Sequence, residues 1–149
     1  MSVYYDTGVV LKLYTIEPES PKVRRMVKRR NEPLYLNSLH RTECIAAFRL
    51  IVFRDECDET AASRAIADFE EDMTTEVIKL IEPDWTDVWS ACQSLLNQYA
   101  STTGCRTTDA LHVACARILN VREFVTTDKR QSALAALAGI RALSPATGL

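Results

Sequence analysis

Four carboxylates stand where they could share one cation: Asp6, Glu43, Asp109 and Asp128. Asp6 ends the apolar run Val3-Tyr4-Tyr5 and leads into Thr7-Gly8, and Asp128 closes Phe124-Val125-Thr126-Thr127 in the same way. Asp109 follows Arg106-Thr107-Thr108, and Glu43 lies in His40-Arg41-Thr42-Glu43-Cys44, ahead of an apolar stretch. Two of the acids therefore end strands and two lie near helix starts. In an open parallel α/β sheet such positions gather outside the carboxyl ends of the strands. Carboxylates crowded there raise one another's pKa unless a divalent cation neutralises them. Hard oxygen donors, with no His or Cys at ligand spacing, favour Mg2+ or Mn2+ over zinc, and a cage of this kind usually handles phosphate esters.

Each acid also has a structural explanation. Asp6 suits an Asx-turn, and Asp109 and Asp128, both preceded by Thr-Thr, suit caps for the helices they open. Glu43 is harder to account for. At helical spacing it shares a face with Ala47, Leu50 and Ile51, a face expected to point inward, and a buried carboxylate needs a partner, a proton or a metal. A snorkelling or salt-bridged glutamate is the plainer reading.

The elements that must hold these residues alternate along the chain. Val3-Tyr4-Tyr5 reads as a buried strand feeding a helix. Ser20 and Pro21 suit the N-cap and first turn of a basic helix. Leu34 to Ser38 is a short strand ended by turn formers, followed by helices from about His40 to Arg54 and from Asp58 to Met73. Val77 to Ile81 is a third strand, stopped at Glu82-Pro83. Asp84 caps a helix running to about Tyr99. Thr108-Asp109 opens a helix, Ala110 to Leu119, that is apolar nearly all round and hence central. Glu123 to Thr127 is a strand, Asp128 to Ala138 a helix, and Arg141 to Ser144 a last short strand. Strands separated by helices imply a parallel sheet of four or five strands.

At 149 residues, 47% hydrophobic with four glycines and five prolines, the chain reads as one ordered domain over residues 1–149. A chain of that length buries roughly 70% of its unfolded surface. No apolar run approaches the ~18 residues of a membrane helix, and the first residues lack a signal-peptide pattern, so a cytoplasmic protein with no membrane contact is expected. Cys44, Cys57, Cys92, Cys105 and Cys115 are odd in number and widely spaced, which indicates neither a disulfide frame nor a zinc site. The net charge is −2, yet Lys22, Arg24, Arg25, Lys28, Arg29 and Arg30 put six cations into nine residues. With Val23, Met26 and Val27 inward they form one positive face, either a solvated surface or a contact for phosphate.

Four blocks in this order, Tyr5-Asp6-Thr7 with Val10 to Tyr14, Thr42-Glu43-Cys44-Ile45-Ala46-Ala47, Arg106 to Ala114, and Phe124 to Arg130, resemble the PIN domain family. At this size the chain is similar to VapC-type toxin ribonucleases of toxin–antitoxin pairs. The resemblance implies a three-layer α/β/α fold around a central parallel sheet of four to five strands. It implies hydrolysis of RNA with one or two Mg2+ or Mn2+ ions, held directly or through water by Asp6, Glu43, Asp109 and Asp128. It also implies a cognate antitoxin and self-association into a homodimer. The family commonly has a serine where this chain has Gly8, which leaves Thr7 and Thr126 as the supporting hydroxyls.

Lys12, Arg106, Lys129 and Arg130 flank the acids and either hold substrate phosphate or are surface charges on long stems. His112, among apolar residues, reads as a core histidine. Phe53 and the pair Trp85 and Trp89 read as core, with a contact surface as the alternative. Three other functions compete with the nuclease. One is a PIN-fold module that binds RNA or protein with little turnover. Another is a receiver-like phosphate-signalling domain, which lacks adjacent acids after the first strand. The last is a metal-free ribonuclease using His40 and His112.

Overall fold

Short strands alternate with helices in the computed structural model, which describes residues 1–146. In chain order these are β1 (Val3–Tyr5), α1 (Thr7–Leu11), α2 (Ser20–Arg30), β2 (Leu34–Leu36), α3 (Ser38–Phe53) and α4 (Glu59–Thr74). There follow β3 (Ile78–Leu80), α5 (Trp85–Thr103), α6 (Thr107–Ile118), β4 (Glu123–Val125), α7 (Lys129–Leu137) and β5 (Arg141–Leu143). The chain divides into two compact units, one joining Met1–Val9 to the chain from Glu82 onward, the other Val10–Ile81. Among the described residues no helix is long and apolar enough to cross a membrane.

In the first unit β4 lies between β1 and β5, and both pairings are parallel. Val3 faces Glu123 and Tyr5 faces Val125, while Glu123 and Val125 face Arg141 and Leu143 on the other side. Tyr4 stacks on Phe124, ring centroids 5.5 Å apart, and both are buried. Burying a ring of that size contributes about 1.5–3 kcal/mol. On α6 every residue from Ala110 to Ala116 is buried, as an all-round apolar helix requires, and it packs against α5 and α7. Small side chains at Ala110, Ala114 and Ala116 leave room for that close covering.

In the second unit β2 pairs with β3, again parallel, Leu34 facing Ile78 and Leu36 facing Leu80. The α/β class with five parallel strands is therefore as expected, but the hydrogen-bonded ladders divide into three strands and two. Tyr14, Phe48 and Phe69 meet edge to face, centroids 5.4–6.3 Å apart, and form the aromatic centre of this unit. Its most buried helical positions include Val23 and Met26 on α2, with Lys22, Arg24, Arg25, Lys28 and Arg29 exposed as the basic-face reading requires.

Three local expectations are corrected. Ser20 is not the cap of α2: Glu19 is, and the Ser20 hydroxyl instead accepts from Glu17 N and donates to Thr15 O, tying down the loop before the helix. The inward stripe of α3 is His40, Cys44 and Phe48, not Glu43, Ala47 and Leu50. A capping box sets that rotation. Asn37 Oδ1 accepts from Leu39 N and His40 N, while Asn37 N donates to His40 Nδ1, which turns the imidazole inward. Trp89 is half exposed and Phe53 84% exposed, so neither is core. On α5 the buried stripe is Val88, Cys92 and Leu95, one residue round from Trp89.

Candidate active site

Asp6 is the first residue beyond β1, and its backbone N still donates to Val125 O at 2.9 Å, so the sheet itself fixes where the side chain starts. The carboxylate is half-buried. Its Oδ2 accepts from Gly8 N at 3.2 Å, the Asx-turn the sequence allowed, and its Oδ1 accepts from Gln131 Nε2 at 3.1 Å. Behind it, Thr7 Oγ1 bonds His112 Nε2 at 3.2 Å and Tyr4 Oη bonds His112 Nδ1 at 2.9 Å. His112 is thus a buried core histidine with both nitrogens satisfied, and it anchors the start of α1.

Asp109 is half-buried at the third position of α6, where Oδ2 accepts from Arg106 N at 3.0 Å and closes a capping box. Asp128 caps α7. Its Oδ1 accepts from Arg130 N at 2.7 Å and Gln131 N at 3.2 Å, and the Arg130 guanidinium lies 3.5 Å from Oδ2. Partial burial works against the Asp128 anion, but the hydrogen bonds from Gln131 and Arg130 outweigh it and hold its pKa below the usual carboxylate range. The buried Thr126 hydroxyl accepts from Asp128 N at 3.0 Å and so fixes the turn between β4 and α7. The Asx-turn at Asp6 and the cap at Asp128 are as expected, Asp109 closes the capping box of α6 from its third position instead of capping it, and all three lie in the first unit.

The residue that ties these acids together was not foreseen. Gln131, 1% exposed, donates from one nitrogen to Asp6 Oδ1 and to the backbone O of Asp109 at 3.4 Å, while its own backbone N is held by Asp128. The signal was present: Gln131, Leu134 and Ala135 form the inward stripe of α7, and an amide in a core stripe needs partners. Its Oε1 is buried with no hydrogen-bond partner.

Glu43 belongs to the second unit, half-buried on α3. Lys12 belongs there too. It is buried and pairs with Glu17 at 3.0 Å and Glu19 at 3.5 Å, so its charge is matched locally. Burial opposes the Glu17 anion, yet hydrogen bonds from Lys12 and Thr15 prevail and lower its pKa. Arg106 and Lys129 are exposed and make no ion pair among the described residues, whereas Arg130 is paired with Asp128.

Among the described residues no three His, Cys, Asp or Glu side chains stand close enough together to hold a metal ion. The donor chemistry nevertheless suits a hard cation: Asp6, Asp109 and Asp128 are carboxylate oxygen donors, and the Gln131 amide oxygen is buried without a partner. Burial pushes the Cys105 thiol pKa up, a hydrogen bond with Thr103 works against it, and the charges of Asp109 and Asp128 add to the rise.

A model of the PIN domain family matches residues 3–137. The chain belongs to the PIN domain family. PIN domains are generally nucleases. This PIN domain resembles in fold the structure of VapBC-1 from nontypeable Haemophilus influenzae, with a TM-score of 0.64 and 15% identity, over 98% of this chain and 99% of that one. It also resembles FitAcB from Neisseria gonorrhoeae, with a TM-score of 0.62 and 15% identity, over 96% and 97% of the two chains. Among curated proteins none matches this chain.

Proposed function

We propose that this PIN domain is a Mg2+- or Mn2+-dependent endoribonuclease, working as a single domain and as the toxin of a toxin–antitoxin pair. The observation that carries the reading is the tie made by Gln131 between Asp6 and the start of α6, on the helix that Asp128 caps. Gln131 thereby bonds the Asp6 carboxylate and the Asp109 backbone carbonyl through its side chain and the Asp128 carboxylate through its backbone N–H. Asp6, Asp109 and Asp128, with Glu43 as the fourth acid, would hold one or two ions. A bound divalent ion makes an attacking water more acidic and stabilises the leaving oxygen of a phosphodiester.

The chain's own residues do the positioning. The Thr7–His112–Tyr4 set holds the start of α1, and Thr126 holds the turn that presents Asp128. Arg106 and Lys129, exposed beside Asp109 and Asp128 in sequence, are the cations best placed to meet substrate phosphate. Lys12 is occupied by Glu17 and Glu19, and Arg130 by Asp128.

An antitoxin partner is supported by an open groove of about 500 Å3 in the second unit, lined among others by Tyr14, Ile16, Ile51, Cys57, Ala61 and Ala65. Ile16 is fully exposed there, a surface suited to an apolar peptide segment. A homodimer and a cytoplasmic site of action are proposed from the family resemblance.

The test is cleavage of total RNA by the purified protein in Mg2+, with mapping of the cut ends. Cleavage should stop with chelator and with Asp6→Asn or Asp109→Asn; activity that survives either substitution refutes the reading. That no three His, Cys, Asp or Glu side chains among the described residues are grouped to hold a metal favours a second reading, a PIN module that binds RNA or protein with little turnover. Calorimetry showing no uptake of Mg2+ or Mn2+ would select it.

A further inference from the structure

Gln131 is fully buried in an acidic environment, and its amide orientation is determined by its neighbours. Nε2 faces two acceptors, Asp6 Oδ1 at 3.1 Å and Asp109 O at 3.4 Å. Flipping the amide would set an acceptor oxygen against a carboxylate and a carbonyl, which is repulsive. Both protons on the nitrogen are therefore engaged. The carbonyl oxygen is left in the interior with no donor, an unfavourable arrangement when nothing fills it. An apolar residue at this place in the core stripe of α7 would avoid that cost. The two bonds made by the amide nitrogen offset the unpartnered oxygen, and the amide's contribution lies in what it does for Asp6.

Building on the metal-dependent reading above, we infer that Gln131 is a positioning residue of the acidic site. Its nitrogen fixes the Asp6 carboxylate against the start of α6, and its carbonyl oxygen accepts a hydrogen bond from a water of the hydrated ion. Mg2+ and Mn2+ sites built on few carboxylates keep several waters, and those waters need acceptors. Asp6 is held at both ends, Oδ2 by Gly8 N and Oδ1 by Gln131, so its remaining lone pairs have a fixed direction before any ion arrives.

Mn2+ affinity of the full chain, measured by calorimetry across pH, tests this alongside melting in chelator. Gln131→Leu keeps the volume and removes both functions. It should melt in chelator close to wild type and bind Mn2+ about 10–100-fold more weakly, the range seen when outer partners of metal ligands are lost. Gln131→Glu adds a carboxylate beside Asp6. It should restore Mn2+ binding above neutral pH and make affinity depend more steeply on pH, because one more proton leaves when the ion binds. A purely structural glutamine would change melting without changing the pH dependence. Wild-type binding with Gln131→Leu within about twofold of it overturns the inference and leaves the metal reading standing. A wild type that takes up no Mn2+ overturns both.

Discussion

Asp128 has two duties that a single substitution separates. As a cap it accepts from Arg130 N at 2.7 Å and Gln131 N at 3.2 Å. As an acid it is one of the proposed ligands. Asp128→Asn keeps a side-chain carbonyl for both N–H groups, and Asn ranks beside Asp as a cap. What is lost is the anion at the N-terminus of α7, worth about 0.3–1 kcal/mol. The Arg130 pair adds almost nothing, since the Asp128 side chain is 34% exposed and water screens it. Urea unfolding should therefore show a loss of about 0.5–1 kcal/mol with an unchanged slope. Asp128→Ala removes the acceptor as well and should cost about 1 kcal/mol more. RNA cleavage should separate differently, falling about a hundredfold or more in both variants if the carboxylate serves the ion. The pH dependence gives an independent check. The folded pKa of Asp128 is depressed, so its contribution is present above the ordinary Asp value of about 3.9 and is lost as pH falls through the lower folded value. The stability gap between wild type and Asp128→Asn should accordingly close in acid. Full cleavage by Asp128→Asn, with loss in Asp128→Ala matching only the unfolded fraction, would show that the carboxylate is a cap and nothing more.

Two further outcomes follow from buried polar contacts. Tyr14 donates to Asp72 Oδ2 at 2.5 Å from within the aromatic centre of the second unit, and Tyr14→Phe should cost about 1 kcal/mol in chemical denaturation. Burial and then the Asp72 bond raise the Tyr14 pKa, so this contribution is complete below about pH 10 and is lost as pH rises further; a difference from Tyr14→Phe that grows in alkali would contradict the assignment. Thr7→Val removes the hydroxyl bonded to His112 Nε2 and should cost about 1–2 kcal/mol, with RNA cleavage falling by more than the folded fraction does. Equal losses would make Thr7 a stability residue only.

What the sequence made legible was whatever has a period or a charge. The all-round apolar pattern of Ala110–Ala116 placed α6 in the core, and Asp84 and Asp128 gave helix starts to within a residue, whereas α6 begins at Thr107, ahead of the expected Ala110, with Asp109 at its third position. The α3 stripe was misread because its inward face contains His40. The reading favoured Ala47, Leu50 and Ile51, whereas a hydrogen bond from Asn37 N makes the imidazole a satisfied inward residue and carries Cys44 and Phe48 in with it. Glu43 is half-buried for the same reason, one step round from the stripe rather than on it. The Trp85 and Trp89 pair misled through size: Trp85 is held at Glu82 by its indole N–H at 2.9 Å, and Trp89 borders solvent. Large side chains at helix edges satisfy periodicity without being covered.

Gln131 carries no charge and belongs to no motif, so only its place in the inward stripe of α7 marks it, yet it bears on the glycine at position 8. The resemblance puts a serine where this chain has Gly8. A Cβ added at Gly8 would come within 3.1 Å of Asp6 Oδ2, so any side chain there requires the carboxylate to give by a few tenths of an ångström. Here the carboxylate cannot give freely, since its other oxygen is held by Gln131 at 3.1 Å. A glycine over the first turn and a glutamine in the core stripe of α7 therefore belong to one arrangement, in which Asp6 lies close against the start of α1 and is anchored from both ends. Read singly, each looks like a weakening: a missing hydroxyl at position 8 and a buried polar group at 131. Taken together they fix the direction of the one carboxylate that the sheet delivers directly from β1, which is the physical requirement for a ligand that must be ready before its ion arrives.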